Sequence, residues 1–163
     1  MTRHPKLILG INPGTRYVGL SCFVGNDLRD WRLKVIRGKW SSAKRKKLDA
    51  ALYDYIDRFK PIAIALKKLD PARSSPQLRA FAASLRSFAR RKHISVHEYT
   101  IKEIESLVLG EERKNRHRLA DAIAQEYPIL LSELNRELSH KNAYHLRMFE
   151  AVALASVCAR SLE

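Results

Sequence analysis

The stretch from Lys6 to Ile36 admits few folds. Three apolar runs, Lys6–Ile11, Tyr17–Val24 and Trp31–Ile36, are separated by NPGTR and GNDLRD, both rich in turn-forming residues. Runs this short, closed by Gly, Pro, Asn and Asp, predict strands joined by tight reversals, that is, an antiparallel three-stranded meander. A change of period follows. Ser41 or Ser42 is placed to cap a helix whose Leu48, Leu52, Tyr55 and Phe59 recur at helical spacing, and Pro61 stops it. The continuous apolar run Ile62–Leu66 then fits a buried strand, parallel to its neighbour after a helical crossover.

Beyond it the pattern predicts a helix from about Ser75 to Lys92 and a fifth strand, Ile94–Tyr99. Helices over Ile101–Val108, Asn115–Glu126, Ile129–Leu138 and about Ala143–Ser161 complete the chain, with LGEERKN as a loop and Pro128 separating the middle pair. No repeat, low-complexity tract or linker interrupts this order. The expectation is one α/β domain over residues 1–163, with a mixed five-stranded sheet, three strands antiparallel and then two parallel, flanked by helices.

Composition excludes whole classes of protein. Hydrophobic residues at 45% and charged residues at 29% fit neither a disordered chain nor a membrane-spanning one. The start, MTRHPK, lacks the apolar region of a signal peptide, and Cys22 and Cys158 sit far apart inside apolar runs. Buried free thiols in a reducing, cytoplasmic setting are expected. The six histidines, His4, His93, His97, His117, His140 and His145, show no metal-ligand spacing with cysteine. P-loop, dinucleotide and nucleophile-elbow motifs are absent, so neither ATP nor nicotinamide chemistry is indicated.

Charge is the informative excess. Thirty-one Lys and Arg against 17 Asp and Glu leave +14, which speaks about partners rather than fold. A polyphosphate is the natural partner, because each neutralised phosphate releases condensed counterions. From Arg32 to Lys47 eight basic residues occur without an acid, and Lys44, Arg45, Lys46 and Lys47 form the densest part. Trp40 lies inside this segment, either exposed to stack a base or packed on the sheet. Arg79, Arg86 and Arg90, seven and four residues apart, share one stripe of the second helix, opposite Phe81, Leu85 and Phe88. That stripe is read as a phosphate-contacting row; an ordinary charged outer face is the alternative. Arg113, Lys114 and Arg116 add a basic cluster at a helix start, where anions are already favoured.

Three motifs in this order resemble the RuvC Holliday-junction resolvases of the RNase H-like superfamily. They are ILGINPGTRYVGL at the first hairpin, FKPIAIALKKL (Phe59–Leu69) around the buried strand, and MFEAVALA (Met148–Ala155) in the last helix. The resemblance implies an RNase H-like fold, a homodimer, a branched DNA ligand, and catalysis by two divalent metals on four carboxylates from those three places. Hard cations need anionic oxygen ligands, and a pair about 4 Å apart stabilises both attacking and leaving oxygens.

Carried over position by position, the first aspartate falls on Asn12 and the glutamate on Lys67, or on Leu66 if the register slips by one. The earlier acid of the final pair falls on Arg147, and the last acid is kept as Glu150. An aromatic of the family falls on Asp70. One carboxylate of four remains, and two positions have become cationic.

The leading expectation is therefore a catalytically inactive RuvC-like protein without cofactor that binds structured or branched nucleic acid, DNA before RNA, as a homodimer or within a larger nucleoprotein assembly. Asn12, Lys67, Arg147 and Glu150 are expected to form a charge cluster in place of a metal site. The alternative is an active endodeoxyribonuclease, dependent on Mg²⁺ or Mn²⁺, in which Asp70 or Glu98 replaces a lost ligand. A third class is a protein-binding adaptor whose charge only aids solubility.

Overall fold

The computed structural model describes residues 6–111, 113–139 and 145–162. Its elements follow one another as β1 (Leu7–Asn12), β2 (Tyr17–Val24), β3 (Asp27–Val35), α1 (Ser42–Phe59), β4 (Ala63–Lys67), α2 (Pro76–Arg91), β5 (Ser95–Tyr99), α3 (Ile101–Leu109), α4 (Arg116–Glu126), a 3₁₀ turn (Pro128–Leu130), α5 (Leu131–Ser139) and α6 (Leu146–Ser161). The strands lie in the order β3-β2-β1-β4-β5. The first three pair antiparallel, and β1, β4 and β5 run parallel. This is the mixed sheet expected from the run pattern.

Local chemistry sets the helix ends. Ser41, Ser75, Thr100 and Asn115 each accept a hydrogen bond from the backbone N–H three residues on, closing the starts of α1, α2, α3 and α4. Lys60, at φ 48°, ends α1 in the left-handed region just before Pro61.

Two boundaries among the described residues differ from the sequence reading by more than one residue. β3 begins at Asp27 rather than Trp31, because Gly25 (φ 60°) and Asn26 make a two-residue reversal and the ladder resumes at once. Asp27, Arg29 and Asp30 hid this strand, yet charge is what an edge strand carries. Ile129 lies in the 3₁₀ turn, not in α5. The start proposed for the last helix, Ala143, and residues His4 and His140 fall outside the described residues.

Each face of the sheet has its own core. Leu9, Ile11, Ile64 and Leu66 pack with α1 and α2, through Leu52, Ile56, Phe81 and Leu85. Ile8, Ala63 and Ala65 pack with α3, α4 and α6. Alternation along each strand sends neighbours to opposite cores.

Helix α6 is buried from Met148 to Ala159, which explains why its sequence is apolar on all sides. It lies unusually close to the sheet. A Cβ at Gly10 would collide with the Ala151 carbonyl, and one at Gly19 with the Arg147 carbonyl. Ser21 uses the same proximity to donate a hydrogen bond to the Ala151 carbonyl at 2.8 Å.

Cys22 in β2 and Cys158 in α6 are both free and buried. Burial, with the nearby Asp30 carboxylate second, pushes the Cys22 thiol from 9.0 to about 11. Burial likewise raises Cys158 to about 11, against a hydrogen bond with Tyr99. A folded-state value above the unfolded one means that the native protein holds these protons more tightly. Their contribution is complete below about pH 9 and is lost as pH rises toward about 11. Urea denaturation across this range is expected to show stability falling by on the order of 2 kcal/mol per thiol. The double variant Cys22→Ala/Cys158→Ala should lose most of that alkaline slope, whatever its stability at neutral pH.

Candidate functional site

Asn12 and Lys67 are the last residues of β1 and β4, neighbouring parallel strands. Each has the same parity as the residues facing α6 (Ile8 and Gly10 in one strand, Ala63 and Ala65 in the other), so both side chains rise on the α6 side. Leu66, the other residue the sequence offers, belongs to the opposite core. Arg147 and Glu150 stand three apart in the first turns of α6, directly above.

The contacts are specific. Asn12 is fully buried, and its Nδ2 donates to the Arg147 carbonyl at 3.3 Å and to Glu150 Oε1 at 3.4 Å. Glu150, only 2% exposed, also accepts from Arg116 Nη2 at 2.5 Å. Arg116 is the first residue of α4 and reaches in from the half-exposed rim. Arg147 donates from Nη1 to the Pro13 carbonyl at 3.2 Å. It lies so close to Gly14 that a Cβ there would come within 2.8 Å of Nη1. The Pro-Gly of the first hairpin thus serves as a bed for Arg147.

Charge is unequally shared. Burial lowers the pKa of Lys67, and Arg147 and Arg116 lower it further; Glu150 alone opposes them. Arg147 is lowered in the same way, by burial and then Arg116, against Glu150. Three cations therefore face one carboxylate, and that carboxylate is already bound by Arg116. Asn12 Oδ1 is buried with no hydrogen-bond partner among the described residues.

Within the expected charge cluster, Glu150 is paired by neither Lys67 nor Arg147 but by Arg116, while Arg147 donates to the Pro13 carbonyl. The sequence places Arg116 only in the basic cluster at the start of α4. Neither proposed replacement acid joins the site. Glu98 rises on the other face and pairs with Arg86 at 2.9 Å. Asp70 caps a turn by accepting from the Ala72 N–H at 2.9 Å, with Arg73 3.8 Å away. Among the described residues no group of three or more His, Cys, Asp or Glu is arranged to hold a metal.

The basic surfaces sort into free and engaged side chains. Lys46, Lys47, Arg113 and Lys114 are exposed, and Lys44 is partly so, at the starts of α1 and α4. Arg45 ties α1 to α2, donating to Ser84 Oγ at 2.5 Å and lying 3.7 Å from Asp49. The α2 row is not the unbalanced stripe that helix geometry suggested. Arg79 donates to the Pro71 carbonyl at 3.0 Å and to the Ser74 carbonyl, bracing the loop before α2. Arg86 has its acid in Glu98, on another element. Arg90 is exposed. Trp40 is half-buried and packs edge-on against Phe81, with ring centroids 6.3 Å apart. It also lines a shallow groove with Arg16, Tyr17, Arg37 and Lys39 at the same end of the sheet as Asn12.

A sheet of order 3-2-1-4-5, with a buried helix laid across β1 and β2 and polar residues gathered at the ends of β1 and β4, defines the RNase H-like fold. The family model described as crossover junction endodeoxyribonuclease RuvC matches residues 8–132, and the chain belongs to that family. RuvC of Thermus thermophilus has a similar structure, with TM-score 0.70 at 14% identity, covering 96% of this chain and 95% of that one. The same protein in complex with a Holliday junction substrate gives TM-score 0.66 over the same shares at 14% identity. No curated protein sequence matches the chain significantly.

The residues present do not fit the two-metal centre that the family resemblance implies. Paired hard cations need several anionic oxygens. This site offers one carboxylate, occupied by Arg116, and one neutral amide oxygen, with two further cations beside them.

The surplus of cations makes Glu150 the keystone of this cluster. Glu150→Gln should cost on the order of 2–4 kcal/mol at neutral pH, because it leaves three cations uncompensated. Adding Lys67→Met should return much of that loss. Urea denaturation of the two single variants and the double would measure the coupling; additive losses would show that the cations do not depend on Glu150.

Proposed function

We propose that this protein binds branched, double-stranded DNA of the four-way-junction type without cutting it, as one RNase H-like domain acting in a homodimer. The observation that carries this reading is the Glu150–Arg116 ion pair: the single acid kept at the four family positions is neutralised from within the chain. Asn12, Lys67 and Arg147 occupy the other three positions, and none can supply a second anionic ligand. The Holliday junction in the complex of Thermus thermophilus RuvC supports the choice of DNA ligand. The free basic residues at the starts of α1 and α4 flank the site at the carboxyl ends of the strands, where a bound duplex arm would meet them.

The test is a panel of labelled four-way junction, duplex DNA, single-stranded DNA and duplex RNA, run with and without Mg²⁺ or Mn²⁺. Salt-sensitive binding with preference for the junction and no product in any lane is expected. Asn12→Asp should not create activity, because Lys67 and Arg147 remain. Metal-dependent cutting by the unmodified protein, abolished by Glu150→Gln, would make it a working nuclease. Binding that ignores salt would favour an adaptor role.

Affinity should depend on the free cations rather than on the engaged ones. Replacing Lys46, Lys47, Arg90, Arg113 and Lys114 by glutamine should weaken binding and flatten its salt dependence while leaving the thermal midpoint within a few degrees. Replacing Arg79 should lower the midpoint, since that residue braces a loop. An unchanged salt slope in the five-site variant would place the DNA on another face.

A further inference from the structure

We propose that the cluster at the ends of β1 and β4 is an anion receptor in which Lys67 holds one backbone phosphate of the nucleic acid directly, with no divalent metal between them. The inference rests on the function proposed above and names what its central site contacts.

Four observations converge on this assignment. Lys67 is half-buried at the end of its strand, yet makes no hydrogen bond or ion pair with a described residue. Its ammonium has three N–H donors to satisfy. The charged groups acting on it are Glu150, Arg147 and Arg116, from the two helices packed above. Both competitors for the one acid are committed elsewhere or already attached: Arg116 holds Glu150 at 2.5 Å, and Arg147 is docked on Pro13.

A cation withdrawn from water beside two other cations is unfavourable unless an anion completes the site. With no partner among the described residues, the ammonium donors of Lys67 suit the acceptor oxygens of a phosphate. A phosphodiester is preferred to free phosphate because a second basic feature, the groove of Arg16, Arg37 and Lys39, lies at the same end of the sheet.

The same argument makes Lys67 a residue kept for binding at the expense of stability. Methionine has similar length and no charge, so Lys67→Met should fold with a thermal midpoint at or above that of the unmodified protein. Its junction affinity, measured by anisotropy in EDTA, should fall about tenfold, and the slope of log K against log salt should shrink by about one.

A junction set carrying one neutral methylphosphonate at successive positions near the branch locates the contact. One position should weaken binding by the unmodified protein and have no further effect on Lys67→Met. Inorganic phosphate should raise the thermal midpoint of the unmodified protein only weakly, and not that of Lys67→Met. A strong effect of inorganic phosphate, with no sensitive phosphonate position, would make free phosphate the ligand and overturn the backbone assignment. Unchanged affinity in Lys67→Met, or additive losses at every phosphonate position, would overturn the receptor while leaving non-catalytic junction binding intact. Cutting of the junction by the unmodified protein would overturn both.

Discussion

Everything at the candidate site depends on how closely α6 lies against β1 and β2. Gly10 and Gly19 leave no side chain between sheet and helix backbone, and the Ser21 hydroxyl fastens the two where they meet. The Arg147 carbonyl can accept from Asn12, and Glu150 can be reached from the sheet, only because the helix axis has come in by about one side chain. The buried, alanine-rich sequence of α6 serves the same end, since small residues let it sit between the sheet and α4. Site geometry is thus a consequence of backbone packing and not of the charges it carries.

That separation explains how one scaffold can tolerate opposite electrostatics. A ring of carboxylates at the strand ends would repel itself and need cations to fill it; a cluster rich in Lys and Arg has the mirror-image requirement. Here Glu150 meets part of that requirement from within, through Arg116. The pKa of Lys67 is displaced downward by burial first, and by Arg147 and Arg116 after it. The sign of the surplus sets the charge that a ligand at this place would need.

How much of this could be read from the sequence varied with the range of the interaction. Short apolar runs and their turn residues specify β1, β2, β4 and β5, because alternation and chain reversal are local properties. β3 was cut short at its start because an exposed edge replaces apolar residues with Asp27, Arg29 and Asp30. Asn12, Lys67, Arg147 and Glu150 were identifiable as one group through motif order, and strand parity explains why they meet. Arg116 was not, since it is 34 residues from Glu150 and nothing in its surroundings distinguishes it from Arg113 or Lys114. The engagement of Arg79 and Arg86 was equally hidden. A helical wheel shows which face a side chain occupies, but not the Pro71 carbonyl or the Glu98 carboxylate waiting on another element.

Most of the bridging cations are arginines, although Lys92 reaches Asp57 at 3.5 Å and Lys6 donates to the Leu162 carbonyl at 3.0 Å. Arg45, Arg79, Arg116 and Arg147 all bridge elements, donating to carbonyls, a hydroxyl or a carboxylate, as a planar group with several fixed donors does well. Lys44, Lys46, Lys47 and Lys114 carry compact, strongly hydrated charges on flexible stems and make no such bridges among the described residues. The net charge of +14 therefore overstates the surface offered to a polyanion, because part of it is structural. Lys67 stands between the two groups, half-buried like Arg45, Arg79 and Arg147 but uncommitted like the surface lysines. That combination sets it apart from the rest of the basic surface.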